Sequence, residues 1–289
     1  MIRSFGCTPN FLNYNGYPAS ICVSVNEEVV HGIPSKKRIL KEGDIVSLDA
    51  GLIYEGYHSD AARTHAVGEI SPEARKLVEV TRQAFFEGIK YAKAGHHLHE
   101  ISAAIGAYAE SFGYGVVRDL VGHGIGTHLH EDPAVPNFAQ PSRGVRLQPG
   151  MTLAIEPMIT AGGYAVRWLD DDWTVVTEDG SLAAHYENTI LITEGEPETF
   201  AYGGGFMKPI VKGMFARSLA GHDKGKLYVI SDVQEPYVFL VDGKIRTANR
   251  PKKKKLIHVQ PDYEMTDAVR DEDIRKALKE KSCKELKED

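Results

Sequence analysis

Ile45-Val46-Ser47-Leu48-Asp49-Ala50-Gly51-Leu52-Ile53-Tyr54, followed by Glu55-Gly56 and then Tyr57 to Val67, is the stretch on which the fold turns. Residues that favour strands flank a Glu-Gly pair, the signature of a two-residue hairpin turn. With that turn, facing residues carry numbers that sum to 111, so Asp49 lies opposite Ala62. Asp60 is two residues from Ala62 and shares its face. The two aspartates become diagonal cross-strand neighbours, with Cα atoms roughly 7–8 Å apart. Two carboxylates projecting together repel unless a cation joins them. Taken alone, such a pair reads as two solvated surface acids.

Three further segments change that reading. Val121-Gly122-His123-Gly124-Ile125-Gly126 sets a histidine among glycines, where one backbone can approach another closely. Leu153-Ala154-Ile155-Glu156-Pro157-Met158 ends an apolar strand on a glutamate, and Ala184-His185-Tyr186-Glu187-Asn188-Thr189-Ile190 embeds another. Acids in apolar strands are costly unless paired or bound to metal. Asp, Asp, His, Glu and Glu form an oxygen-rich set with one imidazole, which suits two divalent ions about 3.5–4 Å apart.

Phe11-Leu12-Asn13-Tyr14-Asn15-Gly16-Tyr17-Pro18, Val30-His31-Gly32-Ile33-Pro34, the paired aspartates, Gly122–Gly126, Ile155-Glu156-Pro157-Met158 and Tyr186-Glu187-Asn188-Thr189 together resemble the type I methionine aminopeptidases. The resemblance covers about residues 1–200, with all five ligand positions in order. It implies an α+β "pita-bread" fold, two pseudo-symmetric halves around a dinuclear metal site. It further implies that Asp49 chelates one metal, that Asp60 and Glu187 bridge both, and that His123 and Glu156 complete the other. The metals would be two divalent ions (iron, manganese, cobalt or zinc), with a bridging hydroxide attacking the peptide carbonyl. Glu156 would also accept the proton. His31 and His130 match the family's substrate-contacting histidines, and Phe11, Tyr14, Tyr17, Cys22, Leu129 and Trp173 match its methionine pocket. The implied activity is removal of the initiator methionine from nascent polypeptide N-termini when the next residue is small.

Two departures accompany the resemblance. Relatives carry several dozen more residues, mostly helical, ahead of Met1. Their absence is expected to bare an apolar sheet face, leaving a monomer unless that face draws in another chain. Asn188 stands where a histidine often follows the bridging glutamate.

The rest of the chain sets limits. At 289 residues, 42% apolar and 26% charged, it is a globular chain, which excludes disorder, collagen and coiled coil for its bulk. No apolar run approaches the roughly 18 residues of a membrane span. No secretory signal opens it, and three scattered cysteines make no disulfide framework. A cytoplasmic location without membrane contact is expected. Ser71-Pro72-Glu73 opens a helix with an N-cap serine and N1 proline; a second is expected near Leu98–Phe112, and single strands near Met151–Ile155 and Ala184–Ile192. His96, His97 and His99 lie at a helix start away from the acids and read as a solvated cap. Asp170-Asp171-Asp172 reads as an acidic turn.

Charge divides the chain. Residues 1–206 hold 15 basic against 26 acidic side chains, and 207–289 hold 19 against 14. Tyr202-Gly203-Gly204-Gly205-Phe206 reads as a flexible linker, giving domains at 1–201 and 207–289 joined by 202–206. Short β-rich runs (Lys226–Ser231, Tyr237–Val241, Leu256–Val259) precede a charged, solvated helix from about Thr266. Gly221-His222-Asp223-Lys224-Gly225-Lys226-Leu227-Tyr228-Val229-Ile230 resembles the KOW motif of ribosomal and transcription-associated proteins. That resemblance implies a small SH3-like β-barrel that binds RNA, with ribosome or rRNA as partner. Arg246, Arg250, Lys252, Lys253, Lys254 and Lys255 would meet phosphate.

Two other functions compete. One is a catalytically impaired, metal-free protein on the same scaffold that binds RNA or ribosomes, suggested by the short front end. The other is a relative cleaving Xaa-Pro bonds, against which the Tyr14–Tyr17 pocket and the short first domain speak.

Overall fold

A computed structural model describes residues 2–200, 210–234 and 236–288. The expected linker at 202–206 and a module start at Met207 lie outside the described residues. The chain divides into two compact units, Met1–Tyr202 and Gly203–Asp289.

In the first unit the hairpin forms in the expected register. Tyr54 pairs with Tyr57, Leu52 with Ser59 and Asp49 with Ala62. Glu55 (φ 49°) and Gly56 (φ 86°) are both left-handed, as the tight turn demands. The ladder is interrupted midway, between the strands Ile45–Asp49 and Leu52–Tyr54 on one side and Tyr57–Ser59 and Ala62–Ala66 on the other. Across the gap the Ala50 N–H donates to the Ala61 carbonyl at 3.0 Å, so register survives while the pairing opens.

A second interrupted ladder corrects the expected strand over Ala184–Ile192. That segment is two strands, Ala183–His185 and Asn188–Leu191, facing Met158–Thr160 and Thr152–Ile155. Ile155↔Asn188 and Met158↔His185 keep one register, since both pairs of numbers sum to 343. Glu156-Pro157 therefore faces Tyr186-Glu187 inside the gap. Pro157 has no N–H to continue a ladder, and each half switches to a different sheet neighbour.

The two ladders meet edge to edge. The Glu187 N–H donates to the Ala62 carbonyl (3.0 Å) and the Thr189 N–H to the Asp60 carbonyl (3.1 Å). The Asp60 N–H donates to Thr189 Oγ1 at 2.8 Å. A third contributor, the strand Gly122–Gly124, is pressed between Glu131–Val135 and Thr152–Ile155. An added Cβ would sit 2.3 Å from the Ala154 carbonyl oxygen at Gly122 and 2.2 Å from that of Asp132 at Gly124. Only glycine lets these backbones approach so closely.

Helix α1 (Pro72–Ile89) begins as expected, with the Ala74 N–H donating to Ser71 Oγ at 3.1 Å. Leu77, Val80 and Ala74 pack on Ile45, Ile159 and Ala184, so one helix seals both ladders from behind. Helix α2 (Leu98–Glu110) stops two residues short of Phe112, and its Ile101 and Ile105 pack with Phe85 and Leu153. The expected bare sheet face is only partly present. On the side away from Asp49, Val25 and Val46 are buried and Leu48 is 39% exposed.

The second unit is a five-stranded antiparallel sheet ordered Lys252–Lys255, Tyr237–Val241, Leu227–Gln234, Met214–Ser218, Val259–Met265. Its edge strands are separated in sequence only by the short 3-10 turn Leu256–His258, expected as strand. Four residues span at most ~14 Å, whereas a flat five-stranded sheet is ~19 Å across, so the sheet must curl. Tyr228, Ile230, Val238 and Leu240 fill its core. Helix α3 starts at Asp271, later than expected, and is not merely solvated: Ile274 is buried against Phe215, Val229 and Val241. The lysine run is an edge strand whose side chains alternate. Lys252 and Lys254 turn inward onto Asp223 (2.8 and 3.0 Å), while Lys253 and Lys255 are exposed. Among the described residues no helix is long and apolar enough to cross a membrane.

The squeeze on the Gly122–Gly124 strand is testable. Gly124→Ala is expected to destabilise the protein by about 1–3 kcal/mol, the usual cost of overpacking, as a lowered denaturation midpoint. An unchanged midpoint would mean the strands are not so closely apposed.

Candidate metal centre and substrate pocket

Both ladder interruptions, and the strand Gly122–Gly124 beside the second ladder, open onto one cavity of about 260 Å³. All thirteen side chains singled out from the first unit's sequence line it. These are Asp49, Asp60, His123, Glu156 and Glu187; His31 and His130; and Phe11, Tyr14, Tyr17, Cys22, Leu129 and Trp173. Asn15 also lines it and was not foreseen.

Asp60, Glu156 and Glu187 come from the gaps, and Asp49 ends the strand beside one of them. Asp60 and Glu187 are buried, with the ligand atoms of Asp60, His123 and Glu187 all within 4.8 Å of one another. Asp49 and Glu156 are half-buried beside them. Such crowding punishes ionisation. Burial, then repulsion from Asp60 and Glu156, holds Asp49 well above the usual carboxylate range. Burial and Asp60 do the same to Glu156, and burial with all three other acids to Glu187. Asp60 is pushed up to about 7 by burial, moderated by its hydrogen bond with Asp49.

The imidazoles are neutral by the same cause. Burial brings His123 down to about 4 and lowers His31 and His130, with His130 adding to the effect on the first two. His123 Nδ1 lies 2.8 Å from the Gly124 carbonyl, so Nδ1 carries the proton. Nε2 then holds a free lone pair, 3.7 Å from Glu156 Oε1. His130 Nδ1 lies 2.7 Å from the Tyr14 hydroxyl. His31 has φ 60°, a conformation that non-glycine residues hold mainly where surroundings enforce it.

This donor set fits divalent metal. Four buried or half-buried carboxylates and a neutral imidazole converge, and Asp49 Oδ1 is buried with no hydrogen-bond partner. Oxygen-rich sets with one imidazole suit hard to borderline ions. Beside them is an apolar wall of Phe11, Tyr17, Cys22 and Leu129, with Tyr17 and Trp173 rings edge to face at 5.0 Å. Burial pushes the Cys22 thiol up, so it sits there as a neutral, soft group. Asp171 accepts from the Trp173 and Thr174 N–H groups (2.9 and 2.7 Å), so the acidic turn positions Trp173. His96 is engaged by Glu100 at 2.8 Å, and neither His96, His97 nor His99 lines the cavity.

Sequence reasoning missed His185. It is 2% exposed, with Nε2 3.6 Å from Glu156 Oε2 and 4.0 Å from Glu187 Oε2, and burial lowers it to about 3. The available signal was strand alternation, which puts residues 185 and 187 on one face.

Comparison with known proteins agrees in kind. The pattern of metallopeptidase family M24 matches residues 2–194. Over 197 residues the chain is 59% identical to the methionine aminopeptidase of Clostridium acetobutylicum, covering 68% of this chain and 79% of that protein. Over 193 residues it is 53% identical to methionine aminopeptidase 1 of Bacillus subtilis, covering 67% and 77%. The crystal structure of methionine aminopeptidase from Thermotoga maritima superposes with a TM-score of 0.67 at 50% identity, covering 68% and 80%.

The crowded acids give the metal-free protein a particular pH dependence. Raised carboxylates bind more protons folded than unfolded, so they lose stability as pH rises; the lowered histidines do the reverse, but only below their ordinary 6.5. Above pH 6.5 the carboxylates act alone. With chelator present, stability by urea denaturation is expected to fall as pH rises through about 7, and saturating Mn²⁺ to flatten that slope. A metal-free protein that gains stability from pH 6.5 to 8 would contradict the arrangement.

Proposed function

The chain belongs to the methionine aminopeptidases of metallopeptidase family M24, with the pita-bread fold of that family, and from that premise we propose how its site works. The observation that carries the reading is the meeting of two chemistries in one cavity, a cluster of buried acids with a neutral imidazole and an aromatic, sulfur-containing wall. We read the acids as holding two divalent ions. Asp49, Asp60, His123, Glu156 and Glu187 would hold them.

When bound, such ions supply Lewis acidity that brings water's pKa toward neutrality and stabilises charge on a carbonyl oxygen. The chain's own residues do the rest. Glu156, half-buried at the gap, accepts the proton of the attacking water and returns it to the departing amine. Burial lowers His130, and in the tautomer that carries its proton on Nε2 the ring accepts from the Tyr14 hydroxyl at Nδ1, 2.7 Å away, and donates from Nε2 to the substrate carbonyl. His31 contacts the scissile amide. The wall of Phe11, Tyr17, Cys22, Leu129 and Trp173 receives an unbranched thioether, which packs well against rings and sulfur. At about 260 Å³ the cavity lies just below the ~300–1,000 Å³ of ligand pockets. It has room for one side chain, which favours a small second residue and an initiator methionine on a nascent chain.

The second unit supports a finer proposal. We read its curled sheet as an SH3-like, KOW-type barrel that binds RNA and holds the peptidase at the ribosome, where substrates emerge. Lys252 and Lys254 are committed to Asp223, so the phosphate-facing set reduces to Arg250, Lys253 and Lys255, which are exposed, with half-buried Arg246. A purely RNA-binding, metal-free protein is not favoured, because it leaves the acid cluster without a role.

Asp60→Ala or Glu187→Ala is expected to abolish metal binding and release of methionine from a Met-Ala-Ser peptide; full activity in either variant overturns the reading. His130→Ala is expected to keep its metal while turnover falls about 10²–10⁴-fold. For the second unit, reversing Arg250, Lys253 and Lys255 to Glu is expected to abolish cosedimentation with ribosomes without changing peptide turnover. Unchanged cosedimentation would remove the ribosome proposal alone.

A further inference from the structure

Where the two ladders meet, an arginine crosses from one to the other. Arg63 lies on the strand Ala62–Ala66, three residues after Asp60, and faces Tyr186 across the seam. Its Nη1 donates to the Glu187 carbonyl at 2.5 Å and to the Ala62 carbonyl at 2.7 Å. Its Nη2 donates to Asn188 Oδ1 at 2.5 Å. The guanidinium also lies 4.1 Å from the centroid of the Tyr186 ring. One planar group thus grips three consecutive residues, 186 to 188, at the point where the second ladder is broken.

That point needs a grip. Between Ala183–His185 and Asn188–Leu191 the ladder is reduced to the Tyr186 N–H donating to the Pro157 carbonyl at 3.2 Å, and there the backbone must present the Glu187 side chain. The backbone of Glu187 pairs with that of Ala62, with a hydrogen bond of 3.0 Å one way and 3.4 Å the other. Lysine could make one of Arg63's contacts, but it could not fork to two acceptors and stack on a ring together. Asn188 fits the same device. It is fully buried, and its carbonyl oxygen is the acceptor that Nη2 requires.

We propose that Arg63 is a positioning residue which, through the Glu187 backbone and Asn188, sets the Glu187 carboxylate against Asp60 so that the two can share a pair of divalent ions. This rests on the two-ion reading of the site. It concerns geometry across the seam between the ladders, and Arg63 is not among the residues that line the cavity.

The test uses the full chain loaded with manganese(II). Wild type is expected to bind two ions per chain and to show the electron paramagnetic resonance spectrum of an exchange-coupled pair. Arg63→Lys is expected to lose that spectrum in favour of isolated ions, with binding weakened about 10–100-fold, the range found when partners of metal ligands are removed. Asn188→Ala, which removes one of the contacts, is expected to move the same way by less, and serves if Arg63→Lys does not fold. Ser47→Ala is the structural control. It breaks the hydrogen bond to Thr64 and is expected to lower the melting temperature while leaving the coupled spectrum intact. A coupled pair undiminished in both Arg63→Lys and Asn188→Ala overturns the proposal. Wild type without a coupled pair would overturn the two-ion reading instead.

Discussion

Four carboxylates sit within one small cavity, and they cannot all be ionised there unless positive charge joins them. The rest of the first unit serves that constraint. Each unpaired charge at such depth would cost several kcal/mol, so the acids are either protonated, as the raised values of Asp49, Asp60, Glu156 and Glu187 indicate for the metal-free chain, or bound to cations. The histidines around them show the complementary response. Burial deprives His123, His31, His130 and His185 of their proton, so none acts as the compensating cation. Arg63 is the cation that faces Glu187, and its effect is smaller than that of any of the three acids opposing it.

The architecture that delivers the acids is two antiparallel ladders, each broken for two residues without losing register. A break frees a side chain from the in-and-out alternation of a strand and points it into the gap. Intact pairing on both sides still fixes its position to within the play of a strand, tighter than a loop would allow. Helix α1 seals the ladders behind, through Leu77 and Val80 against Ile45 and Ile159. The precision of the site thus comes from sheets, and its chemistry from where the sheets fail.

The first ladder was legible because its information is local. Glu55-Gly56 fixed the turn, the turn fixed the register, and the register put Asp49 opposite Ala62, as found. The second ladder joins segments some thirty residues apart, and no tight turn sets its register. Ala184–Ile192 therefore looked like one apolar strand, although Pro157 on the opposing segment already marked a place where a ladder could not continue. His185 and Arg63 escaped for a related reason. Arg63 acts across the seam between ladders on residues more than a hundred positions away, His185 acts on Glu156 and Glu187 inside the second ladder, and neither residue type is unusual where it stands. In the second unit the lysine run misled by composition. Strand alternation, invisible to a count of charges, turns Lys252 and Lys254 onto Asp223 and leaves only Lys253 and Lys255 outward.

The apolar wall follows from the same geometry as the acids. Cys22 pairs with Asp49 across the sheet, so the thiol that lines the pocket and the acid at its floor are direct cross-strand neighbours. His130 is tied to the pocket side by the Tyr14 hydroxyl, and its ring meets the His123 ring at 4.3 Å on the acid side. In the proposed function a side chain seated against Phe11, Tyr17 and Trp173 would have its own backbone set at the acids, because Cys22 on the wall and Asp49 at the floor share one sheet. Under that proposal recognition and reaction share one reference, and displacement of either would be felt by the other. A branched or longer side chain would fail here twice, once against the aromatic wall and again by lifting its carbonyl away from His130.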